Sequence, residues 1–269
     1  MPEPIVFYDI PRRVSMSEVN AWGPNTWKTR YTLNIKGIPY KTVWVEFADI
    51  EPISKKIGAA PTSTKPDGSP FYTCPFIYDP NTRIAVSDSV AIARYLDKTY
   101  PDTHPLVPKA TAALQQAFLR AFEAEILPGK GELFALMMPQ SHARLNERSQ
   151  PYFRRTREAV LGQSLEEAAP RGSEKAKRLW EGVRSGFHAV AEWLKRAEDG
   201  GKELFFGGEG IVFADTVVAA FLTWIRLAFG EESEEWKGVL SWDGGRWGKF
   251  AEAFRKYEAV DAGSYYAEV

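Results

Sequence analysis

The sequence predicts a small α/β domain of order βαβαββα followed by an all-helical domain. Three observations predict it. In the first part of the chain, short apolar runs alternate with helical stretches. Within that part, Cys74-Pro75-Phe76-Ile77 reads as a strand opening on a proline, and Ile84 to Val86 as its partner across a turn at Asp79-Pro80-Asn81. After Tyr100-Pro101 the strand signals stop, and from Lys109 onward apolar residues recur at helical spacing.

Taken in order, Ile5 to Asp9 is a short apolar run and the first strand. Pro11 to Val19 is a polar loop. Pro24 precedes a helix from Asn25 to about Lys36, and Gly37 stops it, since glycine takes the left-handed cap conformation without a Cβ penalty. Pro39 to Phe47 is a strand, favoured by Val43, Trp44 and Val45. Ile50 to Ile57 is a short helix, and Gly58 to Tyr72, rich in Pro, Gly, Ser and Thr, is a loop. The strand pair and the amphipathic helix begun by Asp88-Ser89 complete a thioredoxin-like layer over residues 1–101. Asp102 to Pro108 is a linker, and residues 109–269 form the helical domain.

Thr111 to Met138 is expected to be one long helix broken or kinked at Pro128-Gly129. Pro151 to Leu161 is a basic helix. Glu174 to Arg196 carries Leu179, Val183, Phe187, Val190 and Leu194 on one face and ends at Gly200-Gly201. Ala214 to Phe229 is almost all apolar and therefore a central buried helix. Trp247 to Tyr257 closes the domain.

With 269 residues and 44% hydrophobic content, the chain can bury a sizeable core. A net charge of −1 gives no electrostatic case for nucleic acid or an acidic membrane. One cysteine excludes an intramolecular disulfide framework and fits a reducing compartment. The start lacks a basic segment followed by an apolar one, and no apolar run reaches membrane length. The expectation is a cytoplasmic protein with neither membrane nor nucleic-acid partners. His104, His142 and His188 are too scattered for a metal site, so no metal is expected. Gly207-Gly208-Glu209-Gly210 lacks the strand and the Lys-Ser/Thr of a phosphate loop. Nine tryptophans suit a core and also an aromatic ligand pocket.

A proline at a strand start suits a cis X–Pro bond, which turns the preceding backbone outward. The acidic-Ser pair Asp88-Ser89 at a helix start beside it offers free N–H groups to a carboxylate. This is a platform for a peptide-like anionic ligand. It resembles the glutathione site of the glutathione transferases, and the two-domain order extends that resemblance over nearly the whole chain. The resemblance implies that Cys74 pairs its backbone with the cysteinyl part of glutathione and that Pro75 is the cis-proline. It also implies that Asp88 meets the glutamyl ammonium and Ser89 its carboxylate.

Glutathione reacts as a thiolate, and a free thiol has a pKa of roughly 8.5. The helix starting at Pro24 would bring free N–H groups and the side chains of Asn25 and Thr26 to the thiol. Asn25 is the first candidate for thiol positioning and Thr26 the second; capping the helix start is the competing role for Asn25. The stretches Ala21-Trp22-Gly23-Pro24-Asn25-Thr26-Trp27 and Gly37-Ile38-Pro39-Tyr40 to Glu46 resemble fungal etherase-related transferases. These are similar to bacterial β-etherases acting on lignin-type aryl ethers. That group usually has Ser-Pro-Asn-Thr-Trp, and here Gly23 replaces the serine, so the resemblance leaves the role to Asn25, as in transferases of the nitrogen-regulator type.

The resemblance implies a transferase attacking hydrophobic aromatic electrophiles with glutathione as co-substrate, in detoxification or aryl ether cleavage. The alternative is a glutathione-dependent ligand-binding protein with little turnover. A homodimer remains open. Candidate walls of the substrate pocket are Trp22, Phe118, Phe122, Phe134, Met137, Met138 and Tyr152. Arg154, Arg155 and Arg157 form a basic face, either solvated or attracting an acidic substrate group. Asp215, in Phe213-Ala214-Asp215-Thr216, is expected to be structural, satisfying backbone N–H groups at the start of the buried helix.

Overall fold

The computed structural model describes residues 3–13, 19–127, 131–197 and 203–266. In chain order the first domain runs β1 (Ile5–Asp9), α1 (Pro24–Lys36), β2 (Tyr40–Trp44), α2 (Ile50–Ile57), β3 (Ser63–Thr64), β4 (Pro70–Phe71), β5 (Phe76–Asp79), β6 (Ile84–Ser87) and α3 (Ser89–Thr99). β1 pairs parallel with β2 and antiparallel with β5, and β5 pairs antiparallel with β6. Alternation along β1 decides its two faces. Ile5 and Phe7 pack with Leu33, Ile92 and Leu96 of α1 and α3, whereas Tyr8 packs with Val43, Ile50 and Ile53 toward α2. The expected loop over Gly58 to Tyr72 contains the small β3–β4 ribbon, whose two-residue strands are too short to leave a pattern.

The second domain holds α4 (Ala112–Ile126), α5 (Glu132–Arg144), α6 (Gln150–Leu161), α7 (Leu165–Ala168), α8 (Glu174–Ala197), α9 (Phe213–Phe229) and α10 (Glu234–Phe254). The long helix expected from Thr111 to Met138 is two helices, α4 and α5. Pro128-Gly129 and Gly200-Gly201 lie outside the described residues. The expected Trp247 to Tyr257 helix is the second half of α10. Its first half is capped by Ser233, whose hydroxyl accepts from Trp236 N at 3.1 Å. The halves are separated at Trp242 to Gly245, where the backbone leaves helical angles and Asp243, Gly244 and Gly245 take positive φ. No helix of the described residues is long and apolar enough to cross a membrane.

β7 (Ser264–Tyr265) is a strand that the sequence did not announce. It pairs parallel with β2 and makes the sheet order β6-β5-β1-β2-β7. Asp261 accepts from Thr42 N at 2.7 Å, and Trp44 Nε1 donates to Ala262 O at 3.0 Å.

The domains meet along α1 and α9, where Tyr31 and Thr223 share a hydroxyl–hydroxyl bond of 2.7 Å. A second junction is Glu46, which accepts from Asn146 Nδ2 at 2.8 Å and from the Ser149 hydroxyl. Asp215 is fully buried at the start of α9 and accepts from Phe206 N at 2.7 Å and Val212 N at 2.8 Å. Val212 has no hydroxyl to cap the helix, and Asp215 N donates to Val212 O at 3.0 Å instead.

Candidate functional site

The N-terminus of α1 leaves main-chain donors open. Gly23 is the N-cap with φ −74° and ψ 136°, and it supplies no side-chain cap. Pro24 has no N–H, and Trp27 N donates to Gly23 O at 3.0 Å. The main-chain N–H groups of Asn25 and Thr26 therefore have no acceptor among the described residues, and the positive end of the helix dipole sits with them. Beneath them lies a buried ion pair, Arg30 Nη2 to Asp9 Oδ2 at 2.8 Å, which joins α1 to the end of β1. Burial pushes the Asp9 carboxyl above its ordinary range, against the pull of the Arg30 guanidinium.

Asn25 is exposed, and its Oδ1 accepts from Lys28 Nζ at 2.9 Å. Its NH2 is then left as a donor. Lys28 is 3% exposed, and burial pushes its ammonium pKa down while the carboxylates of Glu123 and Asp88 pull it up. Thr26 is buried, and its hydroxyl donates to Gly23 O at 3.0 Å.

The Cys74–Pro75 peptide is cis. Among the described residues nothing hydrogen-bonds to the Cys74 main chain. Burial raises the Cys74 thiol well above its ordinary pKa, with Asp9 adding to the effect, so the side chain is a protonated thiol at neutral pH. Pro75 O accepts from Asp88 N at 3.3 Å, which sets the start of α3 beside it. Asp88 has φ 77°, uncommon for a residue with a Cβ, and its Oδ1 accepts from Val90 N at 3.1 Å and Ala91 N at 3.0 Å. It thus caps α3 through one oxygen and keeps the other. Ser89 is buried at 7% exposure.

Above this platform a cavity of about 610 Å³ opens between the domains. Trp22, Gly23, Pro24, Asn25, Thr26 and Cys74 form its floor. Its far wall includes Phe47, Phe134, Met138, Tyr152 and Phe153. Phe47 stacks on Tyr152 with ring centroids 5.6 Å apart, and Trp22 meets Phe153 edge-on at 6.3 Å. Trp22, Phe134, Met138 and Tyr152 were expected there.

Phe118, Phe122 and Met137 were expected there too, and they lie elsewhere. Helical spacing is the reason. Phe118 and Phe122, one turn apart, face the core of the helical domain. Phe118 meets Phe206 at 4.4 Å and Phe122 meets Phe221 at 5.2 Å, while Glu123 and Leu127 take the cavity face of that segment. On α5, Phe134 and Met138 share the cavity face, and Met137 points away and is fully buried. Phe47, Phe153, Phe221 and Trp224 were missed. Phe153 adjoins a named residue, but the last two lie on α9, whose all-round apolarity hides which face is lined. Among the described residues no group of His, Cys, Asp and Glu could hold a metal.

The glutathione S-transferase N-terminal domain model matches residues 22–99, and the C-terminal domain model matches residues 113–257. The chain belongs to the glutathione S-transferase family. A glutathione S-transferase of Ceriporiopsis subvermispora, solved in complex with glutathione, is 49% identical with a TM-score of 0.91, covering 97% of this chain and 100% of its own. The glutathione transferase GSTFuA3 from Phanerochaete chrysosporium is 45% identical with a TM-score of 0.89, over 97% of this chain and 100% of its own. The glutathione S-transferase-like protein ustS of Aspergillus flavus is 29% identical over 248 residues, covering 90% of this chain and 86% of its own. These relatives of the transferase are fungal, and its thioredoxin-like sheet followed by a helical domain is the fold of the family.

Proposed function

We propose that this transferase binds glutathione across Cys74, Pro75, Asp88 and Ser89 and presents its sulfur to the start of α1. The single observation carrying this is that the unpaired N–H groups of Asn25 and Thr26, the open Cys74 backbone and an aromatic wall share one cavity. The amide NH2 of Asn25 and the helix terminus stabilise the thiolate; the Thr26 hydroxyl, engaged with Gly23 O, supports the turn instead. The thiolate attacks an aromatic electrophile held by Trp22, Phe134, Met138 and Tyr152. A β-aryl ether beside a carbonyl is one such electrophile, and the leaving group is then a phenolate. The work is cytoplasmic, where glutathione is abundant.

A second reading, glutathione-dependent aromatic ligand binding with little turnover, is favoured by one feature: Gly23 supplies no hydroxyl at the helix cap. Two measurements test the pair. Calorimetric titration with glutathione should give binding that Ser89→Ala weakens by about 1.5–3 kcal/mol. Conjugation of 1-chloro-2,4-dinitrobenzene and cleavage of an aryl-ether model should both proceed and fall in Asn25→Ala. Binding without turnover selects the second reading, and no binding rejects both.

A further inference from the structure

The three arginines of α6 do not share a role. Arg154 is neutralised, with Nη1 2.9 Å from Glu158 and Nη2 2.8 Å from Glu166. Arg155 is exposed and lies over the Tyr152 ring at 5.7 Å. Arg157 instead lines the cavity. Its guanidinium sits 4.7 Å from the Phe153 ring centre and 5.7 Å from that of Phe47, both residues of the aromatic wall.

Among the described residues Arg157 makes one hydrogen bond, from Nη1 to Thr156 Oγ1 at 3.0 Å, and no ion pair. The three other ionised side chains lining the cavity, Glu51, Lys65 and Glu123, have partners of their own, Glu123 pairing with Arg120 at 3.4 Å. Glu51 is held by Lys55 at 2.7 Å and by Lys65 at 3.3 Å. A guanidinium has five N–H donors in a planar fork, and contact with rings occupies its face rather than its edge. Burial lowers the Arg157 pKa, the mark of a cation short of water and of counter-charge.

We propose that Arg157 makes the aromatic chamber selective for ligands carrying an anionic group on or beside the ring, such as a carboxylate or sulfonate. The ring enters among Phe47, Tyr152 and Phe153, and the anion takes the free edge of the guanidinium in a charge-assisted, bidentate contact. This rests on reading the chamber as the electrophile site, so the test has one arm that needs turnover and one that does not.

In the turnover arm, kcat/KM is measured for 4-chloro-3-nitrobenzoate and for uncharged 1-chloro-2,4-dinitrobenzene in wild type, Arg157→Met and Arg157→Lys. The ratio of the two values should fall at least tenfold in Arg157→Met and recover in part in Arg157→Lys. In the binding arm, 8-anilinonaphthalene-1-sulfonate and uncharged N-phenyl-1-naphthylamine are titrated by fluorescence without glutathione. Affinity for the sulfonate alone should drop in Arg157→Met, and in wild type it should weaken as salt rises. Equal losses for charged and uncharged partners would make Arg157 a packing element and overturn the proposal, as would an unchanged ratio. If wild type conjugates neither substrate, the transferase reading fails while the binding arm still decides the role of Arg157. If Arg157→Met does not fold, Arg157→Lys and the wild-type salt dependence decide it.

Discussion

Lys28 Nζ grips Asn25 Oδ1 at 2.9 Å, so a buried cation fixes which end of an exposed amide faces the cavity. Lys28 lies three residues after Asn25, one helical turn on, and its ammonium also sits 5.4 Å from the centre of the Phe221 ring, with Glu123 and Asp88 pulling on its charge. The ammonium polarises the amide and makes its NH2 a better donor to a thiolate.

Lys28→Met should therefore separate activity from stability. Turnover should fall roughly tenfold, about 1.4 kcal/mol in the barrier, while the melting temperature holds or rises, because a desolvated charge is replaced by an apolar chain. The pH dependence has a definite sign. Burial sets the Lys28 pKa in the fold below the ordinary 10.5, so the unfolded chain binds the extra proton more tightly. Wild-type stability relative to Lys28→Met should then climb as pH rises from the folded pKa toward 10.5. Denaturant melts at neutral and alkaline pH read this; a variant that loses stability equally at every pH would count against it.

Gly23→Ser restores a capping hydroxyl. The backbone at φ −74° accepts a side chain, and the new Cβ would lie 3.3 Å from Thr26 Oγ1, so Thr26 must yield by a few tenths of an ångström. Serine over glycine at an N-cap contributes only a few tenths of a kcal/mol. Conjugation should hold or increase, with a lower apparent pKa for the bound thiol, read from thiolate absorbance against pH.

Glu46→Ala should act on the electrophile more than on glutathione. The carboxylate ties Asn146 and Ser149 of the helical domain to the end of β2, and Ser149 Oγ in turn accepts from Phe47 N at 3.1 Å. Losing it should cost about 2–4 kcal/mol and free Phe47 from its stack on Tyr152. Steady-state kinetics should show KM rising for the aromatic substrate with little change for glutathione.

Asp215→Ala removes acceptors from Phe206 N and Val212 N inside the protein. Two stranded donors should cost about 2–4 kcal/mol, a drop of roughly 5–10 °C in melting temperature. Calorimetry checks this, and residual folded enzyme should keep its KM values.

Much of this was written locally in the chain. The strand pair around Cys74-Pro75, the helix stop at Gly37 and the turn-by-turn apolar stripe of α8 each follow from spacing of two or 3.6 residues. The Pro24-Asn25-Thr26 start was readable because proline and a polar amide mark a helix entry. What stayed hidden was relational. β3, β4 and β7 are two residues long, so periodicity has nothing to measure. Phe122 and Phe134 are both aromatic residues on amphipathic helices, and only the packing against Phe221 or across the cavity tells them apart. Arg154, Arg155 and Arg157 look alike until Glu166 and Phe47 arrive from other elements.

β7 has a mechanical meaning. The chain leaves the first domain at Tyr100, builds the whole helical domain, and then threads residues 261–265 back along β2, with Thr42 and Trp44 holding it through Asp261 and Ala262. The molecule is closed like a buckled strap. A protease nick in the 102–108 linker would cut one connection and leave the buckle fastened, alongside the Tyr31–Thr223 bond and the Glu46 junction that also hold the halves together.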